Sequence, residues 1–130
     1  MKDITTYINE NNDDINWANV KDVIETFEDY EWGRNIELRD SDNELYGTLD
    51  RLGSNKFFHK MMEIEKEGWA YARFWNPDHL NKKRCEKAYK RLNKLYDKPG
   101  SFFYDEKNCI NFSPIVLSKY CDEIIQCIHF

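Results

Sequence analysis

The residues of this chain best suited to covalent or metal chemistry are three histidines, His59, His79 and His129, and four cysteines, Cys85, Cys109, Cys121 and Cys127. A thiol or hydroxyl nucleophile needs an imidazole within hydrogen-bond reach, and sequence distance alone neither supplies nor forbids one. The motifs that would organise such chemistry are missing. There is no nucleophile elbow, no phosphate-binding loop and no H-E-x-x-H, and the five glycines stand singly at turns. No C-x-x-C occurs, so neither a redox pair nor a zinc knuckle is signalled. Cys121 and Cys127 are six residues apart, about 600° of helical rotation, so on one helix they point to different faces. Together with Cys85 and His129 they match no ligand spacing for a metal. The thiols read as free, small, packing hydrophobes in a reducing compartment. No catalytic residue, cofactor or metal is expected, and the chemistry left to explain is that of charge.

That charge is unevenly spread. Net charge is −5, yet residues 1–50 hold 4 Lys and Arg against 14 Asp and Glu, while residues 82–98 hold 8 against 2. The acidic run Asp22, Glu25, Glu28, Asp29, Glu31, Glu37, Asp40, Asp42, Glu44 is interleaved with Tyr30, Trp32 and Tyr46. Asp22, Glu25 and Asp29 follow helical steps, so their like charges repel by a few tenths of a kcal/mol per pair. A cationic partner would relieve that cost, and flanking aromatics are the residues that anchor interfaces. The expected partner-binding set is therefore Asp22, Glu25, Glu28, Asp29, Tyr30, Glu31, Trp32, Asp40, Asp42, Glu44 and Tyr46. The plainer alternative is a solvated helix face followed by an acidic loop. The basic stretch allows a second reading. Lys83, Lys87, Lys90 and Lys94 form one helical stripe that could track phosphates, with Tyr71, Phe74 and Trp75 available to stack on bases. Against it stand the net acidity and the frequency of lysine-rich helix faces that bind nothing.

These residues need elements to hold them. Ile15, Val20, Val23, Ile24 and Phe27 recur at three- and four-residue steps, which predicts a helix capped by Asp13 or Asp14 and closed near Gly33. A short helix or extended piece over 4–9 precedes it. Residues 34–52 are ambiguous. Ile36 and Leu38 alternate like a strand and 41–43 read as a turn, but Leu45, Leu49 and Leu52 fit a short helix ended by Gly53. Ser54 then caps a helix over 55–67, closed by Gly68. The aromatic run 69–75 has strand composition. A long helix over 79–97, a hairpin of 102–104 with 109–112, and one last helix over 115–128 after Ser113-Pro114 complete the chain. The prediction is a single α+β domain, residues 1–130, with about four helices and a small antiparallel sheet from 69–75, 102–104 and 109–112.

Composition agrees. The chain has 130 residues, 41% hydrophobic and 33% charged, with 8 Gly and Pro, which suits one folded core and excludes a disordered or fibrous chain. The apolar C-terminal stretch 124–130 carries no formal charge but is far shorter than the roughly 20 residues of a membrane span. Met1-Lys2-Asp3 followed by polar residues provides no apolar signal segment, so a cytoplasmic protein is expected. In its size, acidity, aromatic content, lack of catalytic motifs and Asn/Lys/Ile/Tyr excess (45 of 130 residues), the chain resembles the small immunity proteins of bacterial toxin systems such as contact-dependent growth inhibition. That resemblance covers the whole chain as a profile and transfers no individual residue. It implies a one-to-one complex with a toxin domain, often a basic nuclease, whose active site the inhibitor occludes. A phage-type inhibitor of a nucleic-acid enzyme would share the profile. The runner-up is a nucleic-acid-binding module using 82–98.

Overall fold

The computed structural model describes residues 15–75, 82–97, 103–106 and 109–129. Helix α1 (Trp17–Asp29) is followed by a 3-10 turn (Gly33–Asn35) and the hairpin β1 (Ile36–Asp40) and β2 (Leu45–Thr48). Then come α2 (Leu49–Leu52), α3 (Ser54–Glu67), β3 (Ala70–Trp75) and α4 (Lys82–Asn93), which ends in a second 3-10 turn (Lys94–Asp97). Strands β4 (Phe103–Glu106) and β5 (Cys109–Phe112) and helices α5 (Pro114–Lys119) and α6 (Cys121–Ile128) complete the described chain. The α+β class is as expected. The sheet is larger: five antiparallel strands in the order β2-β1-β3-β5-β4, so two hairpins flank a central β3.

Strand alternation divides the sheet into two faces. Ile36 and Leu38, with Ala70, Ala72 and Phe74 and with Ile110 and Phe112, form the buried face. Pairings Ile36 with Phe74, Leu38 with Ala72, and Ala72 with Phe112 set these side chains next to one another. Helix α1 packs onto them through Phe27, whose ring lies 6.3 Å from Phe74 and 6.5 Å from Phe112. Its other buried residues are Val20, Val23 and Ile24, at the spacing the sequence predicts. Each large apolar side chain so enclosed contributes roughly 1.5–3 kcal/mol. The opposite sheet face carries half-buried Glu37, Arg39, Tyr71 and Arg73. There Arg39 Nε donates to Glu37 at 3.0 Å and Arg73 Nε to Asn111 at 2.8 Å.

Several local expectations are corrected. The cap of α1 is Asn16, whose Oδ1 accepts from Ala18 N and Asn19 N; Asp13, Asp14 and the segment 4–9 lie outside the described residues. Helix α1 ends at Tyr30 and not at Gly33. Glu31 takes the left-handed conformation (φ 63°), and Trp32 N bonds back to Phe27 O at 2.8 Å, the arrangement that usually places glycine there. Gly33 serves close packing instead, because a Cβ at that position would stand 3.0 Å from Asp50 Cβ. Leu45–Thr48 is a strand and not the start of a helix. Asn43 at φ 63° turns the chain back on β1, and the ladder to Glu37 and Leu38 satisfies backbone groups that a short exposed helix would leave open. The last helix is two: Tyr120, at φ −111° and ψ 30°, interrupts it between α5 and α6. The cap expected of Ser54 falls to Gly53, with Ser54 as the first helical residue. His79, at the predicted start of the long helix, also lies outside the described residues.

Candidate partner-binding surface

The sharpest chemical feature is the turn joining β1 to β2. One Oδ of Asp40 accepts from Asp42 N at 2.9 Å and Glu44 N at 3.0 Å, and its other Oδ accepts from the Tyr46 hydroxyl at 2.8 Å. An aspartate that folds the backbone over itself in this way is a turn-forming choice. The backbone N–H of Glu44, then the Tyr46 hydroxyl, hold the Asp40 carboxyl below its ordinary value. The same bond pushes the Tyr46 phenol up to about 12. The turn is braced from the sheet as well. Arg39 Nη1 donates to Asn43 O at 2.7 Å, and Arg73 Nη2 donates to Asn43 Oδ1 at 3.0 Å. Register explains this reach, since Arg39 lies beside Tyr71 and Arg73 beside Glu37 across the β1–β3 ladder.

From this frame the side chains of Asp42 and Glu44 project into solvent. Neither forms an ion pair with a described residue. Beside them stand Leu45, 48% exposed, and Tyr46, 36% exposed, the two exposed large hydrophobics among the described residues. A cleft of about 460 Å³ separates the turn from the C-terminal half of α3 and is lined by Asp40, Asp42, Tyr46, Lys60, Glu63 and Trp69, among others. The Lys60 ammonium sits 5.5 Å from the centre of the Tyr46 ring and 3.4 Å from Glu63.

The expected acidic set does not form one patch. Asp40, Asp42, Glu44 and Tyr46 come together at the turn. The residues at and beyond the end of α1 do other work. Trp32, expected as an exposed anchor, is fully buried. Its indole N–H donates to Ile128 O at 3.0 Å, its ring packs 5.6 Å from Phe74, and the Arg84 guanidinium lies 3.7 Å from its ring centre. It is withdrawn from any partner because the left-handed step at Glu31 turns the chain inward. Tyr30 is half-buried, packs 4.5 Å from His129, and accepts from Arg84 through its carbonyl. Glu28 caps another helix: its Oε2 accepts from Ser54 N at 2.9 Å, where α3 begins. Glu25 is paired with Lys21 at 3.8 Å one turn earlier, so the α1 carboxylates are not wholly without interleaved cations. Asp22, Asp29 and Glu31 are exposed. From Ser54 to Lys60 is about 9 Å along α3, and that helix runs between the two acidic groups.

Sequence reasoning missed Lys60, Glu63, Trp69 and Leu45. The first three join Tyr46 only because the hairpin folds against α3, and no short-range pattern announces that. Leu45 is legible as apolar, but its spacing with Leu49 and Leu52 points to a helix.

His59 is exposed on α3 and meets Phe58 edge-on at 5.5 Å, and His129 meets Tyr30. Among the described residues no hydrogen bond joins either imidazole to a Ser, Cys, Asp or Glu side chain. None of the four cysteines is in a disulfide, and burial pushes the Cys85 and Cys121 thiols up. No group of three His, Cys, Asp or Glu among the described residues is placed to hold a metal ion. No described helix is long and apolar enough to cross a membrane. The chain matches no protein-family model, and no curated protein or solved structure matches it.

Proposed function

We propose that this chain is a cytoplasmic, stoichiometric protein inhibitor with no catalytic role of its own, and that its partner is a cationic toxin domain, best a basic nuclease. One juxtaposition carries the reading. Unpaired carboxylates of Asp42 and Glu44 stand beside the two exposed hydrophobics Leu45 and Tyr46 on a turn braced by Asp40, Arg39 and Arg73. Charge steers the encounter and the apolar pair supplies area to bury. Because the turn is already ordered, little conformational entropy is lost when it docks. Inhibition follows if the two carboxylates enter the cationic, phosphate-binding part of the partner's active site and exclude its substrate. The buried Trp32 takes no part in the contact.

The test pairs this chain with a basic nuclease toxin domain, sought first among the products of neighbouring genes, with protection of producing cells and calorimetric binding as readouts. Asp42→Lys combined with Glu44→Lys should abolish protection and weaken binding by about 2–5 kcal/mol, the usual loss when one side of a desolvated charge pair is removed. The thermal midpoint of the variant should stay close to that of the parent. Unchanged affinity in the double reversal would sink the acidic-turn mechanism.

A further inference from the structure

We infer that α4 presents a second, independent binding surface, one that takes the phosphate backbone of duplex nucleic acid without reading sequence. It lies on a different element from the β1–β2 turn and rests on no part of the inhibitor reading. At 100° per residue, Lys83, Lys87 and Lys90 fall within an arc of about 60°, and Lys94 extends the row into the following 3-10 turn. Cys85, Ala88 and Leu92 point the opposite way, into the core. Lys82, Lys83, Lys87, Lys90, Arg91 and Lys94 are all exposed.

The lysines of this row form no ion pair with a described residue. Among the described residues Lys21, Arg39 and Lys60 each sit within 4.0 Å of a carboxylate, whereas Lys82, Lys83, Lys87, Lys90 and Lys94 have no such neighbour. The helix is also firmly seated, because Arg84 is stacked on Trp32 and bonded to the Tyr30 carbonyl. The chemistry of the row selects its ligand. A membrane-binding helix needs an apolar face turned toward lipid, and α4 spends its own on Cys85, Ala88 and Leu92. A protein interface needs an apolar centre, and the exposed large hydrophobics of the described residues are both on β2. What remains is repeated point charge on flexible stems, suited to a polyanion and not to a bidentate fork. The row from Lys83 to Lys94 rises about 16 Å, the span of about five phosphates of one duplex strand. Of the three aromatics that could stack on bases, Phe74 is fully buried in the core and Tyr71 and Trp75 are half-buried.

The experiment titrates the full chain into a fluorescent mixed-sequence DNA duplex of about 20 base pairs and follows anisotropy. Four phosphate contacts give a log–log salt slope between −3 and −4, so affinity should fall roughly 60- to 250-fold from about 50 to 200 mM salt. Changing Lys83, Lys87, Lys90 and Lys94 together to Gln should reduce binding at least about 30-fold and flatten the slope toward zero. If that variant has lost its circular dichroism, the pair Lys83→Gln and Lys87→Gln should halve the slope instead. Asp42→Lys with Glu44→Lys should leave duplex binding intact or strengthen it, which separates failure of this inference from failure of the inhibitor reading. The inference is overturned if no duplex binding appears at the lowest salt, if binding and slope survive the lysine changes, or if phosphatidylserine vesicles are bound and the duplex is not.

Discussion

At the β1–β2 turn, charge is built into the backbone: Asp40 folds the turn, Asn43 is pinned by two arginines, and only Asp42 and Glu44 are left to face outward. On α4, charge is surplus to the fold. Its buried row would pack equally well beneath a neutral outer face, and among the described residues no carboxylate lies within 4.0 Å of its lysines. The turn therefore offers a fixed shape with an apolar neighbour, which suits recognition of one particular protein surface. The helix offers charge density on mobile stems, which suits any regular polyanion. Net acidity is a poor guide to either, because screening over about 10 Å at 0.1 M salt lets each face act locally.

The widest contrast predicted is between two aromatics that the sequence treats alike. Trp32→Ala removes a fully buried ring, a hydrogen bond to Ile128 and the seat of Arg84. It should destabilise the fold by about 3–5 kcal/mol in denaturant unfolding. Tyr46→Ala should change stability by less than about 1 kcal/mol while weakening partner binding. Equal stability losses at the two positions would dissolve the distinction between core and docking aromatics.

A carboxylate that neither region uses gives the next effect. Glu65 is only 7% exposed and accepts from Ala70 N at 2.9 Å, and its Oε1 has no hydrogen-bond partner among the described residues. Burial pushes its pKa up to about 7, against the opposing pull of the Ala70 N–H. Because the folded pKa lies above the unfolded one, the folded state holds the proton more tightly. The associated stability is complete below about pH 4.5 and is lost as pH rises through 7. We expect a decline on the order of 2–3 kcal/mol between pH 4.5 and 8, read as a falling thermal midpoint. Glu65→Gln should flatten that dependence and raise stability above pH 7; a variant that keeps the parent's slope would assign the effect elsewhere.

The smallest effect concerns the step that turns Trp32 inward. Glu31 holds a left-handed conformation at φ 63°, which costs a non-glycine residue roughly 1–2 kcal/mol. Glu31→Gly relieves that strain but loosens the unfolded chain, so a net gain of about 0.5–1 kcal/mol is expected. Calorimetric unfolding that shows a loss would mean the Glu31 side chain stabilises the fold in some other way.

Local chemistry decided much of this protein. Apolar residues at three- and four-residue steps specify α1 and α3, because a helix returns them to one side every turn. Four aromatics in the seven residues 69–75 specify the central strand, and Ser113-Pro114 specifies the start of α5. The acidic and basic halves were likewise evident from composition. What the chain could not show locally is which of its residues would be covered. Trp32 and Tyr46 both sit among acids, yet one meets Ile128, 96 positions away, and the other stays at the rim of a cleft. Leu45 has helical spacing with Leu49 and Leu52, but pairing with β1 satisfies its backbone and makes a strand. Glu28 looks like one more surface acid until the first turn of α3 arrives beside it. Burial, pairing and capping are properties of neighbours distant in sequence, so the tertiary structure alone assigns these residues to core, frame or docking surface.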